Sequence, residues 1–409
     1  MNLFSQYKGL RKENYILCFG RIVTSLGSMI WPMITMILSR KMHMGAGSIA
    51  VVMAVVGILR LPANLIGGRM ADRLNKKMNI VYLDIVSVVC YVICAVIPLS
   101  WRTIVLMFAA STCQEMENPS YNALTADITV TADRERAYSL QYLCGNLGLV
   151  LSPTIAGFLF QNYLWLAFLI SGVSIGCSAV LIFLMIQDIR PEREEGGQAL
   201  YQRSREGESM RRILGENRVI LLHILAVSGF YATYQMYNYL MPLDMTRLHG
   251  DAGAVIFGSI TSVNCVVVVV FTPIITKLFP KLSEPTKTMI GLTLMLAGFG
   301  LFLLCPGLIP MYYLAMIILT WGEVFNMLAE SPDLTKRMPA SHRGRIHGLT
   351  AVVRTLIGSG YQLIIGAVIS RAGSMAAWIT VLVFGAGFVL VTVILSVKDR
   401  KVYPNLYPS

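Results

Sequence analysis

Apolar runs long enough to cross a bilayer recur along the whole chain, separated by short polar loops. A helix of about 20 residues spans the hydrocarbon core of a membrane. Because lipid offers no hydrogen-bond partners to backbone N–H and C=O groups, such runs must fold as helices. The pattern predicts an all-α polytopic membrane protein with twelve transmembrane helices. The predicted spans are 14–38, 48–68, 79–100, 103–126, 137–160, 164–187, 219–243, 253–276, 286–306, 308–331, 346–371 and 375–397.

The low content of charged residues excludes a soluble fold. Charged residues make up 14% of the 409 residues and hydrophobic residues 55%, whereas a soluble domain carries about 25% charged residues. All eight cysteines fall inside the apolar runs, so no disulfide framework is expected. Cys90 and Cys94 share a helix face and could together hold a soft metal ion, but buried cysteines usually pack as small apolar side chains. We therefore predict no metal site and no bound cofactor.

The basic residues are distributed unevenly between the two sides of the predicted membrane. Of the 34 Lys and Arg residues, 26 lie near the termini and in alternate loops, five lie in the other loops and three lie within the spans. Basic loops stay on the cytoplasmic side. Both termini are therefore predicted to be cytoplasmic, in a multi-pass protein of the cell (plasma) membrane. This topology explains the net charge of +12, and no nucleic-acid partner is expected.

A long polar segment divides the predicted spans into two sets of six. An internal repeat supports the division, because Asp127 and Arg136 follow the fourth span as Asp333 and Arg345 follow the tenth, with the two arginines 209 residues apart. Parallel repeats of six helices are a known transporter architecture. The predicted divisions are an N-terminal six-helix bundle (1–187), a cytoplasmic linker loop (188–218) and a C-terminal six-helix bundle (219–409).

A charged motif occupies the loop between the second and third spans. Its residues, with the charged residues that follow the fourth span, are Gly68, Asp72, Arg73, Lys76, Lys77, Asp127 and Arg136. The motif resembles the loop signature of the major facilitator superfamily, with Asn75 in the place of a glycine, and asparagine also tolerates a left-handed turn. The resemblance implies two six-helix bundles and a gating cluster that latches the cytoplasmic side. Arg73 is expected to pair with Asp127. The alternative is that these charges only set the topology.

A second motif lies in the fifth span, at Gly148, Ser152, Pro153 and Gly157. It resembles the helix-5 signature of the drug:proton antiporter-type multidrug efflux members of the superfamily, with Ser152 and Ala156 in the place of two glycines. The alternative is generic close packing of small residues between helices. The resemblance covers essentially the whole chain and implies export of drugs in exchange for protons.

Ionisable residues lie within the predicted spans, where each charge costs about 2.5–3.5 kcal/mol on insertion scales. The residues predicted to line an aqueous cavity and to couple transport to protons are Glu115, Glu117, Glu323, Glu330, Arg21, Arg60 and Arg354. Desolvation raises the pKa of a buried carboxylate, and a nearby arginine lowers it. A change of conformation that alters this balance would couple protonation to transport, with Glu115 or Glu323 as the carrier. The alternative is a static buried ion pair that fixes helix packing.

Polar and aromatic side chains on two spans are predicted to contact the substrate. In the fourth span they share a stripe with Glu115, whereas Glu117 points nearly the opposite way. In the seventh span they form a weakly polar aromatic face that suits flat or amphipathic ligands, although tyrosines there could instead anchor the membrane interface. The predicted substrate-binding residues are Asn118, Asn122, Tyr231, Tyr234, Gln235 and Asn238.

Three further residues are expected to have local or interfacial roles. Asp84 lies near one end of its span and Trp378 near one end of the last, so both are expected at the membrane interface. His223 could titrate, but it is expected to hydrogen-bond locally.

The sequence favours a secondary active transporter that works by alternating access and couples efflux of small organic or amphipathic compounds to protons. The expected partners are a small-molecule substrate, protons and the lipid bilayer, and the expected state is a monomer. The alternatives are an importer or facilitator of a polar or anionic metabolite, and a lipid flippase. The absence of a Gly-x4-Gly-Lys-Ser/Thr loop from the sequence excludes an ATP-driven pump within this chain, and no hydrolase motif is present, so the chain is not expected to be an enzyme.

Overall fold

The computed structural model describes residues 7–129, 133–186, 208–279, 282–339 and 342–407, and within them the chain forms helices and no strand. The helices are α1 (Lys12–Leu26), α2 (Ile30–Met36), α3 (Ala46–Arg73), α4 (Lys76–Val96), α5 (Trp101–Asp127), α6 (Arg134–Leu149), α7 (Ser152–Leu159), α8 (Leu164–Met185), α9 (Met210–Glu216), α10 (Arg218–His249), α11 (Gly253–Leu278), α12 (Glu284–Leu304), α13 (Ile309–Arg337) and α14 (Arg343–Val402). A π-helical turn, Ile37–Lys41, continues α2.

Twelve membrane-length segments follow one another along the described residues. The first is α1 with α2, the fifth is α6 with α7, and α14 is divided in two at Gly373, whose φ of +81° interrupts the helix. Nine continuous helical runs are long and apolar enough to cross a membrane, and two of them, Arg218–Leu278 and Ile346–Val402, contain two helices each. The remaining span is α5, which carries Glu115 and Glu117. The prediction of an all-α, twelve-helix membrane protein is confirmed.

The first of two compact units comprises Met1–Met44, Leu59–Glu195 and Met245–Val269. Its buried cluster contains Leu17 of α1, Ile80 of α4, Tyr121 of α5 and Ile182 of α8. The Tyr121 hydroxyl donates to the backbone carbonyl of Leu17 at 2.6 Å. These contacts hold α1, α4 and α5 side by side, and that arrangement brings the ionisable residues of these helices together.

The second compact unit comprises Gly45–Ile58, Gly196–Asp244 and Val270–Ser409. Trp378 is 3% exposed and packs against Phe299 and Phe302. Its indole N–H donates to Asp244 at 2.5 Å. The expectation of an interfacial Trp378 is therefore wrong, because the indole finds a carboxylate partner inside the helix packing.

Three buried polar side chains and one half-buried tyrosine also join helices within the second unit. Asp399 of α14 accepts hydrogen bonds from Arg337 of α13 at 2.8 and 2.7 Å, and His223 of α10 lies 2.8 Å from its Oδ1 atom. The Tyr407 hydroxyl donates to Asp399 at 2.5 Å. Burial and the adjacent carboxylate raise the pKa of Tyr407, so its hydroxyl remains a donor. The Asp399 partner of His223 lies 176 residues away in the sequence, and the expectation of a local bond stays a prediction.

The predicted bundle boundaries stay a prediction. The two compact units divide within α3, α10 and α11, and most of the predicted linker, residues 187–207, lies outside the described residues. The described end of that linker forms α9, which Ser209 caps by accepting a hydrogen bond from the Arg212 backbone N–H.

Candidate functional site

Arg60 of α3 and Glu115 of α5 form an ion pair in the first unit. Arg60 Nη1 lies 3.5 Å from Glu115 Oε1, and Arg60 Nη2 donates to the Ser111 hydroxyl at 3.0 Å. The guanidinium carbon lies 4.1 Å from the centre of the Trp31 ring. Ser111 and Glu115 are four positions apart on α5, so one face of that helix supplies both partners. The sequence singled out the two charges and missed Trp31.

A second charged cluster joins α1, α4 and α5. The carboxyl groups of Asp84 and Glu117 are close enough to interact with each other, and Arg21 interacts electrostatically with both. Arg21 also lies over the Tyr121 ring, 5.5 Å from its centre. Asp84 is 3% exposed, so the expectation of an interfacial Asp84 is wrong. A carboxylate only accepts hydrogen bonds, so two carboxyl groups can bond to each other only when one of them carries a proton.

The two asparagines of α5 have different surroundings. Asn118 is half-buried, whereas Asn122 is exposed. The backbone carbonyl of Asn122 accepts a hydrogen bond from the Tyr138 hydroxyl at 2.9 Å. Asn118 thus keeps the partial exposure that a ligand contact requires.

The gating motif pairs different residues from those expected. Asp127 forms its ion pair with Lys76, the first residue of α4, and Arg73 is exposed. The expected pair of Arg73 with Asp127 is therefore wrong: Lys76 stands where α4 begins beside the end of α5. Lys77 lies over the Phe183 ring, 5.4 Å from its centre. The side chain of Asp72 lies outside the described part of the chain.

The turn between α3 and α4 is not left-handed. Asn75 has a φ of −67°, and its side chain caps α4 by accepting a hydrogen bond from the Met78 backbone N–H at 3.0 Å. Asn75 thus acts as a helix N-cap and does not use the left-handed conformation that asparagine would tolerate. Arg136, at the start of α6, pairs with Asp133 at 2.5 Å and donates to the Lys8 carbonyl at 2.7 Å.

Close approach of α3 to α5 occurs at Gly67, one residue before the glycine of the predicted motif. A Cβ atom at Gly67 would lie 2.2 Å from the backbone oxygen of Met116, whereas a Cβ at Gly68 would have open space around it. Gly67 therefore sets the distance between the helices that carry Arg60 and Glu115.

The helix-5 motif interrupts the fifth span between α6 and α7. Two of its glycines also bring backbones into close contact. α6 ends at Leu149, and α7 begins at Ser152, with Pro153 in its first turn. A Cβ at Gly148 would lie 2.4 Å from the Ile22 carbonyl oxygen, and one at Gly157 would lie 2.6 Å from the Ala254 carbonyl oxygen. These glycines allow backbones to meet directly, which is how small residues serve membrane helix packing.

The predicted aromatic face of α10 lies in the second unit and stays partly exposed. Tyr231 and Tyr234 are half-buried, and Gln235 is exposed. The Arg354 guanidinium lies 3.9 Å from the centre of the Tyr231 ring. Asn238 is half-buried, so the four residues form the more accessible side of this part of α10.

The two glutamates predicted on α13 are described unequally. Glu323 is half-buried and follows the buried Thr320 by three positions, on the same face of the helix. The side chain of Glu330 lies outside the described part of the chain.

A polar cavity of about 420 Å³ lies in the first unit, near the turns that precede α3, α8 and α11. Arg40 forms an ion pair with Asp251 across it, Lys41 donates to the Gln161 carbonyl at 2.7 Å, and the Gln161 side chain donates to the Asp251 carbonyl at 2.8 Å. The π-helical turn at the end of α2 presents the two basic residues of this ring of contacts.

Trp31, Asp84, Asp244 and Asp399 are the site and network residues that sequence reasoning missed. Asp84 lies within an apolar run and Asp244 directly follows one, and a charge within a span is itself a signal of a polar partner. Trp31 gives no such signal, because an indole in a membrane span is ordinary.

Comparison with known proteins identifies the family. The model of the Major Facilitator Superfamily matches residues 17–361. A Na(+), Li(+), K(+)/H(+) antiporter of Planococcus maritimus is 21% identical over 358 residues, covering 80% of this chain and 82% of that protein. Multidrug resistance protein MdtH of Yersinia pestis (strain Pestoides F) is 22% identical over 261 residues, covering 62% of this chain and 61% of that protein. A crystal structure of the peptide transporter POT in complex with sulfate superposes with a TM-score of 0.76 at 14% identity, covering 98% of this chain and 97% of that one, and this likeness shows the fold alone.

The family match agrees with the fold of twelve membrane-length segments. The expectation of a small-molecule transporter in a lipid bilayer, rather than an enzyme, is confirmed by this match. The chain belongs to the Major Facilitator Superfamily.

Proposed function

We propose that the chain is a proton-coupled secondary transporter of the plasma membrane, which exports small organic or amphipathic compounds by alternating access. The observation that carries the proposal is the pair of acidic side chains Asp84 and Glu117, which interact with each other and with Arg21 inside the helix packing. This cluster binds a proton within the helix packing, and it holds an arginine that compensates the charge when the proton leaves.

The physical basis is the cost of charge in a low-dielectric region. Two ionised carboxylates in direct contact repel each other strongly, so one proton is shared between them. Loss of that proton leaves two negative charges against the single positive charge of Arg21. A movement of α1, α4 or α5 that changes the distance to Arg21 therefore changes the affinity for the proton. Glu115 and Glu323 stay predictions as carriers, and Glu115 already has Arg60 as its counter-ion.

The named relatives support exchange of protons for another solute. One is a cation/proton antiporter and another a multidrug resistance protein. The helix-5 glycines, which pack directly against α1 and α11, agree with the antiporter-type motif.

The test uses purified protein in liposomes that contain a pH-sensitive dye. With an imposed proton gradient, addition of an organic substrate should release protons from the lumen of the vesicles, and a protonophore should abolish the response. A panel of organic compounds chosen by thermal shift supplies the substrates. Substrate flux without any movement of protons would contradict the proposal and favour a facilitator.

A second candidate is exchange of monovalent metal cations for protons. It is favoured by the antiporter relative, which matches 80% of this chain. The same vesicles separate the two candidates, because this activity predicts proton release on addition of Na⁺, Li⁺ or K⁺ with no organic compound present.

A further inference from the structure

The guanidinium of Arg60 is surrounded by three groups of different chemistry. The Trp31 ring lies 4.1 Å from the guanidinium carbon. The Ser111 hydroxyl lies 3.0 Å from Nη2, and the Glu115 carboxylate lies 3.5 Å from Nη1. All four residues belong to the first compact unit. An aromatic face, a hydroxyl and a carboxylate together attract a planar or diffuse positive charge.

Arg60 is held loosely by these groups. Charge-assisted N–H···O bonds are about 2.7–2.9 Å long, and the distance to Glu115 exceeds this by more than half an ångström. A guanidinium has five N–H donors, and the Nε donor of Arg60 has no hydrogen-bond partner among the described residues. Another cation could therefore replace Arg60 without loss of a tight bidentate ion pair.

The surrounding groups are also within reach of a ligand. The Arg60 and Glu115 side chains are each 28% exposed, and Trp31 is 36% exposed. A static structural ion pair would be sealed by packing, as Asp399 and Arg337 are, with side chains 0% exposed.

We propose that Trp31, Ser111 and Glu115 form a recognition site for organic cations with delocalised charge. The Arg60 side chain, which is part of the same chain, occupies this site when no ligand is bound. The inference rests on the proposed export function and names a substrate class for it. A cation enters by displacing the Arg60 side chain from the Trp31 ring and the Glu115 carboxylate. Arg60 then acts as a specificity-determining residue, because a small hydrated cation gains too little from the aromatic face to displace it.

Removal of the occupant should raise affinity for a matching ligand. When the binding-competent form is a minor fraction of the protein, the apparent Kd is the intrinsic Kd divided by that fraction. Arg60→Met empties the site and leaves Glu115 without its counter-ion. We expect the Kd for tetraphenylphosphonium to fall by about tenfold if Arg60 occupies the site about nine-tenths of the time.

Binding is measured by isothermal titration on the full chain in detergent, without a proton gradient. Tetraphenylborate, which has the same shape and the opposite charge, reports on apolar binding alone and should not gain affinity. Arg102→Met is the matched control, because it removes the same charge from an exposed position of α5 and should leave both affinities unchanged.

In the Arg60→Met background, Glu115→Gln should reverse the gain in affinity for tetraphenylphosphonium, and Trp31→Leu should reverse it in part. Arg60→Gln repeats the test if the methionine variant is recovered in low yield.

An unchanged Kd for tetraphenylphosphonium in Arg60→Met and Arg60→Gln would overturn the inference. An equal gain for tetraphenylborate would also overturn it, because apolar space would then explain the binding. Failure of proton coupling is seen separately, as absence of proton release from vesicles, and it leaves these binding constants unaffected.

Discussion

Glu115 and Glu117 are two positions apart on α5, yet they meet partners of opposite charge. Two helical steps rotate a side chain by about 200°, so Glu115 faces Arg60 and Glu117 faces Asp84. On one side of α5 the Glu115 carboxylate contacts the cation Arg60. On the opposite side the Glu117 carboxyl group contacts the acid Asp84. The two glutamates therefore have different expected effects on transport.

Asp84→Asn is expected to abolish substrate-driven proton release while the protein remains folded. An amide at this position can still donate a hydrogen bond to Glu117 but lacks the group that shares the proton. Glu117→Gln should have the same effect for the same reason. The measurement is dye-reported proton movement in liposomes, with transport driven by a substrate gradient alone as a second readout.

Glu216→Gln is the control for these variants, since it makes an equivalent change at an exposed position of α9, where Glu216 pairs with Arg212. Retained proton release in Asp84→Asn would transfer the carrier role to Glu115 or Glu323, whose glutamine variants are assayed in parallel.

The residue types of the site could be read from the sequence, but their contacts could not. The ionisable residues within the spans included both members of the Arg60–Glu115 pair. Asp84 was placed at the interface because its position along the span gives its depth and not the direction it faces. The partner of Asp127 depended on whether α3 or α4 presents its basic residue to α5, and the loop sequence contains both Arg73 and Lys76.

At the scale of elements, α3 and α5 are held at a distance that only glycine permits. Gly67→Ala is expected to lower the stability of the protein by about 1–3 kcal/mol, because the new methyl group would meet the Met116 carbonyl and backbone cannot yield as a side chain does. The apparent melting temperature in detergent, followed by size-exclusion profile, measures the effect.

Gly68→Ala is the matched control for that change. It adds the same methyl group one position later, into open space, and it should leave stability unchanged or raise it by up to about 1 kcal/mol, because alanine has the higher helix propensity. Equal losses in the two variants would show that the contact with α5 does not explain the effect of Gly67→Ala.

The ends of α10, α13 and α14 depend on one carboxylate. Asp399→Asn removes the closer counter-ion of the buried Arg337 and leaves its longer contact with Glu284 at 3.3 Å. Breaking a buried ion pair costs about 3–5 kcal/mol. We expect a large fall in melting temperature. The adjacent variant Lys398→Gln, at an exposed position, should have almost no effect, and similar stability of the two variants would contradict the role given to Asp399.

The number and order of the helices followed from the sequence because bilayer thickness sets the length of every apolar run. The positions where helices break within a span were predicted less well. Pro153 and the small residues around it indicated a special site in the fifth span. The break between α1 and α2 near Gly27 was not predicted, although Pro32 stands in the first turn of α2. Long-range polar bonds such as His223 to Asp399 depend on which helices are neighbours, and a single sequence does not contain that information.

At the scale of the whole molecule, the uneven distribution of basic residues predicts the orientation in the membrane. Green fluorescent protein fused after the last residue should fluoresce, and alkaline phosphatase fused at the same place should be inactive, because both report a cytoplasmic terminus. Fusions in the loop after Lys41 should give the opposite pair of results. Active phosphatase at the C-terminus would contradict the orientation given by the 26 basic residues of one loop set.

The π-helical turn Ile37–Lys41 makes the chain tolerant of a change in length at one place. A π turn holds one residue more than an α turn, so loss of a single codon there would let the helix relax to ordinary spacing while the residues on either side keep their direction. The same loss in the middle of an α-helix would turn everything beyond it by about 100°. Two sequences that differ by one residue in this turn would therefore present the same flanking side chains to the cavity.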